Sequence, residues 1–374
     1  MSNAAWVRTA DLRREFSQRL SDLYAREVPL YGELIEAVRA VNREVIRTDP
    51  GLGYTEDDVE NLSEERHGAI RLGRDDELAT MADFFAVLGM HPVNTYDLSA
   101  AGAKAQPVLS TVFRPVDLVE IEGSPFRVFC SLLRPDDEHF FDDAGLRERL
   151  HARLAEREIF SPRLRELIAV HQREGGLDRS HADAFLDEGL ELFRWRGEAS
   201  DRALYDELIE RGLNIAADIC CFPNPHLNHL TPNTLDIDAL QVRMERLLAA
   251  DFSHLGAEMK NHIEGPPRRE APILLRQTSY KALTEKVRFD GETGGAHTAR
   301  FGEIEQRGLA LTPAGRELYD EALAAVEERR AAGEPLTPAA IAEAFAALPD
   351  DFAALRAAGL GYFAYEPTAA GLQR

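Results

Sequence analysis

From Thr9 to about Arg26 apolar side chains return every three or four positions, placing Leu12, Phe16, Leu20 and Leu23 on one face. That spacing predicts an amphipathic helix capped by Thr9 or Asp11, and a second helix follows to about Ile46. Both read as packing scaffold. After the turn-rich acidic stretch DPGLGYTEDD the period changes to two at ERHGAIRLG, a short strand, and back to 3.6 at RDDELATMADFFAVLGM, a helix ending near Gly89. Strand-like runs continue at VNTYDLS, PVLSTVFRPVDLVEI and PFRVFCSLL. Between Pro135 and about Gly212 four Asp- or Ser-capped helical segments follow one another, read as a helical insertion over about 136–212. Strands are predicted again at LNIAADICCF, HLNHLTPNT, PILLRQTSY, KVRFDG and ARFGEIEQRGLAL. Two helices opened by Thr312-Pro313 and Thr337-Pro338 close the chain, with LGYFAYEP as a last short strand. No repeat, low-complexity tract or Pro-rich linker divides the chain, so the reading is one elaborated α+β domain over 1–374.

Charge narrows the partners. The 374 residues carry a formal charge of −22, which repels phosphate backbones and argues against nucleic acid as a partner. The basic residues are nearly all arginine, whose planar fork suits a local pocket for a small carboxylate inside an acidic shell. Cys130, Cys220 and Cys221 have neither disulfide-framework nor zinc-finger spacing, and the adjacent pair reads as packing inside a strand. A reducing cytoplasm fits, and neither a signal peptide nor a run of about 18 apolar residues is present, so no membrane is expected.

The chemistry concentrates in three strands. In ARFGEIEQRGLAL, period two puts Phe301, Glu303, Glu305 and Arg307 on one face, so two carboxylates sit where a half-buried strand should be apolar. Such a pair needs a compensating cation, and a bound metal is the strongest one. The same pattern also describes an exposed edge strand with Glu305 and Arg307 paired in water. In ERHGAIRLG, His67, Ala69 and Arg71 share a face, so an imidazole and a guanidinium point into the same space. His229 ends a strand in HLNHLTP; His226, three positions earlier, faces the other way on extended chain. His139, His151, His171 and His181 lie on charged helices and read as solvated or capping groups. Two histidines and one carboxylate from strands form the facial ligand set of non-haem iron(II) oxygenases. Arg114 in STVFRP and Gln277 and Ser279 in ILLRQTSYK are further candidates for lining the same pocket.

Taken together, ERHGAIRLG, STVFRP, NHLTPNTLDID, ILLRQTSYKAL and FGEIEQRGLALT resemble the 2-oxoadipate dioxygenase/decarboxylase family, also called D-2-hydroxyglutarate synthases. FGEIEQRG is also similar to the iron-binding strand of 4-hydroxyphenylpyruvate dioxygenase and hydroxymandelate synthase. The resemblance implies an incomplete vicinal-oxygen-chelate β-barrel surrounded by helices, with Fe(II) held by His67, His229 and Glu303; the register of the similar strand selects Glu303 over Glu305. It implies Arg71 as the clamp for the substrate's distal carboxylate. The implied reaction converts 2-oxoadipate and dioxygen to 2-hydroxyglutarate and carbon dioxide, behind dry walls expected from Phe301, Tyr362 and Phe363. Asn233, where a basic residue is expected after NHLTP, and a length below that of larger bacterial members leave substrate length open. Two rivals stand beside this reading: a metal-dependent lyase, isomerase or hydrolase on the same fold, and a non-catalytic dicarboxylate-binding protein.

Overall fold

The computed structural model describes residues 6–100, 105–250, 259, 263–280, 284–298, 300, 302–363, 366–368 and 371–373. The first two predicted helices are α1 (Thr9–Glu27) and α2 (Tyr31–Thr48), and the apolar stripe of α1 is buried. Neither Thr9 nor Asp11 caps α1: Arg8 holds the N-cap position without a cap bond, and its guanidinium pairs instead with Asp11 in the first turn at 2.7 Å.

The short α3 (Val59–Ser63) leads into β1 (Glu65–Leu72) and α4 (Asp75–Val87), followed by β2 (His91–Asp97) and β3 (Val108–Arg114). The long run predicted after Pro107 does not stay extended. Pro115 lacks the N–H a ladder needs, and Asp117 accepts from Val119 N to cap α5 (Leu118–Gly123), after which β4 (Arg127–Leu133) resumes the sheet. The helical stretch contains α6 (Ala144–Ala155), α7 (Pro162–Glu174), α8 (Arg179–Phe193), the two-residue β5 (Glu198–Ala199) and α9 (Arg202–Glu210).

NIAADICCF, predicted as a strand, is the helix α10 (Asn214–Cys221). A short apolar run buried all round carries no usable period, and the helix-forming Ala216 and Ala217 sit at its centre, both fully buried. Cys220 and Cys221 are buried packing residues, as expected, but on a helix.

The chain then forms β6 (His229–Pro232), α11 (Ile237–Ala250), β7 (Leu275–Ser279), β8 (Glu285–Phe289), β9 (Glu292–His297) and β10 (Glu303–Arg307). It ends with α12 (Pro313–Ala331), α13 (Pro338–Ala344), α14 (Phe352–Ala357), β11 (Glu366–Thr368) and β12 (Gly371–Gln373). Thr312 and Thr337 cap α12 and α13 with proline at the start of each helix, as the sequence predicts. The stretch LGYFAYEP is not one strand: Gly361 makes an isolated bridge to Leu311, and β11 begins only at Glu366.

The main sheet has the order β2-β3-β4-β1-β6, with β1 and β4 parallel and the other neighbours antiparallel. On one face Ile70, Leu72, Phe113, Val128 and Cys130 are buried in a core shared with α1, α2, α4 and α8. The other face carries His67, Ala69 and Arg71, the residues aligned with them on β4 and β6, and the functional chemistry.

β7 and β10 form a separate antiparallel pair, which meets the β6 edge through the Asn233–Glu305 bridge and a bond from Thr234 N to Glu305 O at 2.9 Å. Glu305 nevertheless lies 4.0 Å from Arg127 of β4. On a flat sheet β10 would stand three strand spacings, about 14 Å, from β4, so the strands curl around the space between them. Gly302 and Gly308 flank β10 where backbone and ring approach closely: a Cβ at Gly302 would overlap the Tyr280 ring, and one at Gly308 would overlap the Pro272–Ile273 backbone. Among the described residues no helix is long and apolar enough to cross a membrane.

Candidate active site

Strand register decides which side chains meet. β1 pairs with β6 so that His67 stands opposite Thr231 and Ala69 opposite His229, which puts both histidines and the threonine on one face. β10 pairs with β7 so that Glu303 stands opposite Ser279 and Glu305 opposite Gln277, bringing both carboxylates to a common face. The curl turns these two faces toward each other. His67 Nε2 lies 3.1 Å from Glu303 Oε1, and Thr231 Oγ1 lies 3.2 Å from each of them. The rings of His67 and His229 meet edge-on at 5.5 Å. One donor atom each from His67, His229 and Glu303 falls within 4.8 Å of the others.

Glu305 takes a different part. It is fully buried, its Oε2 lies 3.1 Å from His67 Nδ1, and its other oxygen accepts from Arg307. His67 Nδ1 and Glu305 Oε2 are both buried and neither makes a hydrogen bond of good geometry. Were His67 Nε2 to bind a cation beside Glu303, Nδ1–H would be directed toward Glu305, the carboxylate–histidine pairing that orients metal ligands. Two imidazole nitrogens and one carboxylate oxygen suit a divalent transition metal, and the donor set therefore fits one.

The electrostatics agree with that fit. Burial pushes His229 down to about 4, so the ring is uncharged at neutral pH. Burial opposes ionisation of Glu303, but the neighbouring His229 and His67 and the hydrogen bonds from His67 and Thr231 outweigh it and hold the carboxyl down at about 2. Burial likewise opposes a charge on His67, yet the Glu303 contact and the two nearby carboxylate charges raise it above its ordinary value. Two carboxylates thus favour the protonated form of His67, and a metal ion would compete with that proton.

Around this centre, Phe129 meets His67 edge-on at 5.3 Å, Tyr96 lies 6.3 Å from Phe129, and Arg127 stands over the Phe129 ring at 5.6 Å. These side chains border the site. Tyr362 is 61% exposed and lines, with Phe363, Gln306 and Arg307, a cleft of about 1010 Å³ bordered by none of the three candidate ligands. Phe301 lies outside the described residues.

Arg71 shares the His67 face and donates from Nη1 to Asp218 Oδ2 at 2.7 Å. Arg114 is half-buried on the same sheet face as Val112, which stands opposite Phe129, and its Nε donates to the Pro115 carbonyl at 3.2 Å. Gln277 and Ser279 lie beside the carboxylates by register.

A second cluster was not legible in advance. Asp218 of α10, His226 before β6 and His297 at the end of β9 are all buried, with Asp218 Oδ1 3.2 Å from His226 Nε2 and 3.0 Å from His297 Nε2. His226 and His229 fall in different clusters, though not by strand parity, since β6 begins only at His229; reading α10 as a strand hid Asp218, and His297 had no neighbouring motif. Thr231, Arg127 and Phe129 were missed as well; their only signal was register opposite β1.

A family model described as 2-oxoadipate dioxygenase/decarboxylase matches residues 16–374. The chain is 47% identical over 380 residues to a 2-oxoadipate dioxygenase/decarboxylase of Pseudomonas putida, covering 98% of this chain and 78% of that one. It is 41% identical over 371 residues to a protein of the same name from Mycobacterium tuberculosis, covering 97% and 83%. Among solved structures, the hydroxyglutarate synthase of Pseudomonas putida in complex with 2-oxoadipate superposes with a TM-score of 0.83 at 45% identity, covering 99% of this chain and 81% of that chain. With nearly its whole length matched in sequence and in structure, the chain belongs to the 2-oxoadipate dioxygenase/decarboxylase family.

Proposed function

We propose that the protein is an iron(II)-dependent dioxygenase/decarboxylase that converts a 2-oxo dicarboxylic acid, 2-oxoadipate, with dioxygen into 2-hydroxyglutarate and carbon dioxide, with His67, His229 and Glu303 as the metal ligands. The observation that carries this reading is the convergence of two imidazoles and one carboxylate within 4.8 Å on a sheet face that also bears Arg71. The relative solved with 2-oxoadipate supports the substrate. Bound there, iron(II) supplies two-point chelation of a 2-oxo acid and activation of dioxygen.

The chain's own groups do the rest. Arg71 offers its remaining N–H groups to the distal carboxylate, so the acid is held at both ends and the carbon to be hydroxylated is fixed in place. Glu305 orients His67 through Nδ1, and the Thr231 hydroxyl steadies Glu303. Phe129 and Tyr96 limit water near the reacting carbons, with Gln277, Ser279 and Arg114 lining the approach. Atoms balance without a second reductant: one oxygen of dioxygen ends in the new carboxylate and the other in the new hydroxyl, while the original carboxylate leaves as carbon dioxide. We read the curled strands as an incomplete vicinal-oxygen-chelate barrel within one catalytic domain that includes the helical insertion, and three buried thiols suit a reducing cytoplasm.

The test is anaerobic loading with iron(II) followed by oxygen uptake with a panel of 2-oxo acids. The reading expects uptake with 2-oxoadipate, one dioxygen per carbon dioxide released. Turnover of 2-oxoadipate without oxygen uptake would favour a lyase instead.

A further inference from the structure

Asp218 is the lone charged residue of the helix NIAADICC, and its neighbours Ala216, Ala217, Ile219 and Cys220 are all buried. A buried carboxylate on such a helix is costly unless several partners compensate it. Four groups from three other parts of the chain do so. Arg71 of β1 donates to Oδ2 at 2.7 Å, Asn228 Nδ2 reaches the same oxygen at 3.4 Å, and His226 and His297 stand at 3.2 and 3.0 Å from Oδ1. His297 is itself held: its Nδ1 lies 3.0 Å from the Tyr205 hydroxyl, and Trp195 stacks on the ring at 5.6 Å. Trp195 also meets His226 edge-on at 4.7 Å.

We propose that Asp218, fixed by His226, His297 and Asn228, is a positioning residue that sets the guanidinium plane of Arg71 toward the distal carboxylate of the substrate, and so determines the preference for dicarboxylic 2-oxo acids. The inference rests on the reading of Arg71 as that clamp. A guanidinium on a single-bonded stem rotates freely, and a clamp that must meet a carboxylate in two-point register works only when one edge of the fork is already anchored. Among the described residues Asp218 makes the only hydrogen bond of the Arg71 side chain, through one terminal nitrogen, which leaves the rest of the fork available, and the side chain keeps 17% exposure. Asp218 itself is 3% exposed and its carboxylate is turned to Arg71, Asn228, His226 and His297, so its route to the substrate is through Arg71.

The test compares 2-oxoadipate with 2-oxohexanoate, which lacks the distal carboxylate, in the iron-loaded wild type and in the Asp218→Asn and Arg71→Lys variants, with iron content and melting temperature measured on each. Asp218→Asn is expected to raise KM for 2-oxoadipate about ten-fold with a smaller fall in kcat, and to leave 2-oxohexanoate kinetics and iron content unchanged. Should Asp218→Asn fail to fold, His297→Gln and Asn228→Ala, which loosen Asp218 without removing it, are expected to shift the same substrate ratio in the same direction by a few-fold. If all folded variants of the cluster keep the wild-type ratio while Arg71→Lys collapses it, Asp218 only holds the fold and this inference is overturned. If Arg71→Lys also keeps the ratio, the clamp reading fails and takes this inference with it.

Discussion

Two clusters in this protein use the same donors, two histidines and one carboxylate, yet their surroundings give them opposite work. His67, His229 and Glu303 project from strands onto a curled face, next to a hydroxyl and an arginine fork, and two of the three are only partly buried. Asp218, His226 and His297 are buried completely, packed against Trp195 and Phe222, and the carboxylate's second oxygen is already taken by Arg71. Access, more than donor identity, separates the two clusters: the first is partly exposed on a face beside Arg71, and the second is sealed among aromatic rings with one carboxylate oxygen on Arg71.

Breaking the first cluster should have the largest effect. Glu303→Ala is expected to lower kcat/KM for 2-oxoadipate by about a thousand-fold or more, roughly 4 kcal/mol of barrier, with loss of tight iron binding and little change in melting temperature. Glu305→Ala losing the metal while Glu303→Ala retains it would move the ligand by two positions. Breaking the second cluster should act on stability. Asp218→Ala leaves Arg71 and two histidines without their carboxylate, and a cost of about 3–5 kcal/mol in chemical denaturation is expected; a cost below about 1 kcal/mol would show that the cluster is solvated after all.

The third prediction sharpens the comparison through pH. His67 is held above its ordinary value of 6.5, so below its pKa a metal must displace a proton, and apparent iron(II) affinity should fall about ten-fold per pH unit as pH drops. Above that pKa the affinity should level off. His229, down at about 4, and Glu303, at about 2, are already deprotonated through this range and add no slope. Affinity that stays flat down to pH 5 would mean that His67 is not a ligand.

What the sequence could disclose follows from how the two clusters are built. Strands with a clear period of two, ERHGAIRLG and FGEIEQRG, showed which side chains share a face, so His67 with Arg71 and Glu303 with Glu305 were legible before any fold was known. The resemblance of these strings to one family supplied what spacing could not, the choice of His229 and Glu303. Asp218 was out of reach because the buried run around it has no polar side to set its phase, and His297 because only tertiary structure brings β9 to α10. Phe129 and Tyr96 were out of reach for a related reason: they come to the site through strand order, and nothing local distinguishes them from Tyr362 and Phe363, which line the separate cleft.

The most direct measurement follows both atoms of dioxygen through a single turnover. Iron(II)-loaded protein and 2-oxoadipate, mixed with ¹⁸O₂ and quenched, should yield 2-hydroxyglutarate with one label in the hydroxyl and one in the new carboxylate, read by mass spectrometry, and Glu303→Ala should yield no labelled product. Unlabelled 2-hydroxyglutarate, or labelled product formed equally well by Glu303→Ala, would contradict the assignment of dioxygen chemistry to the His67–His229–Glu303 centre.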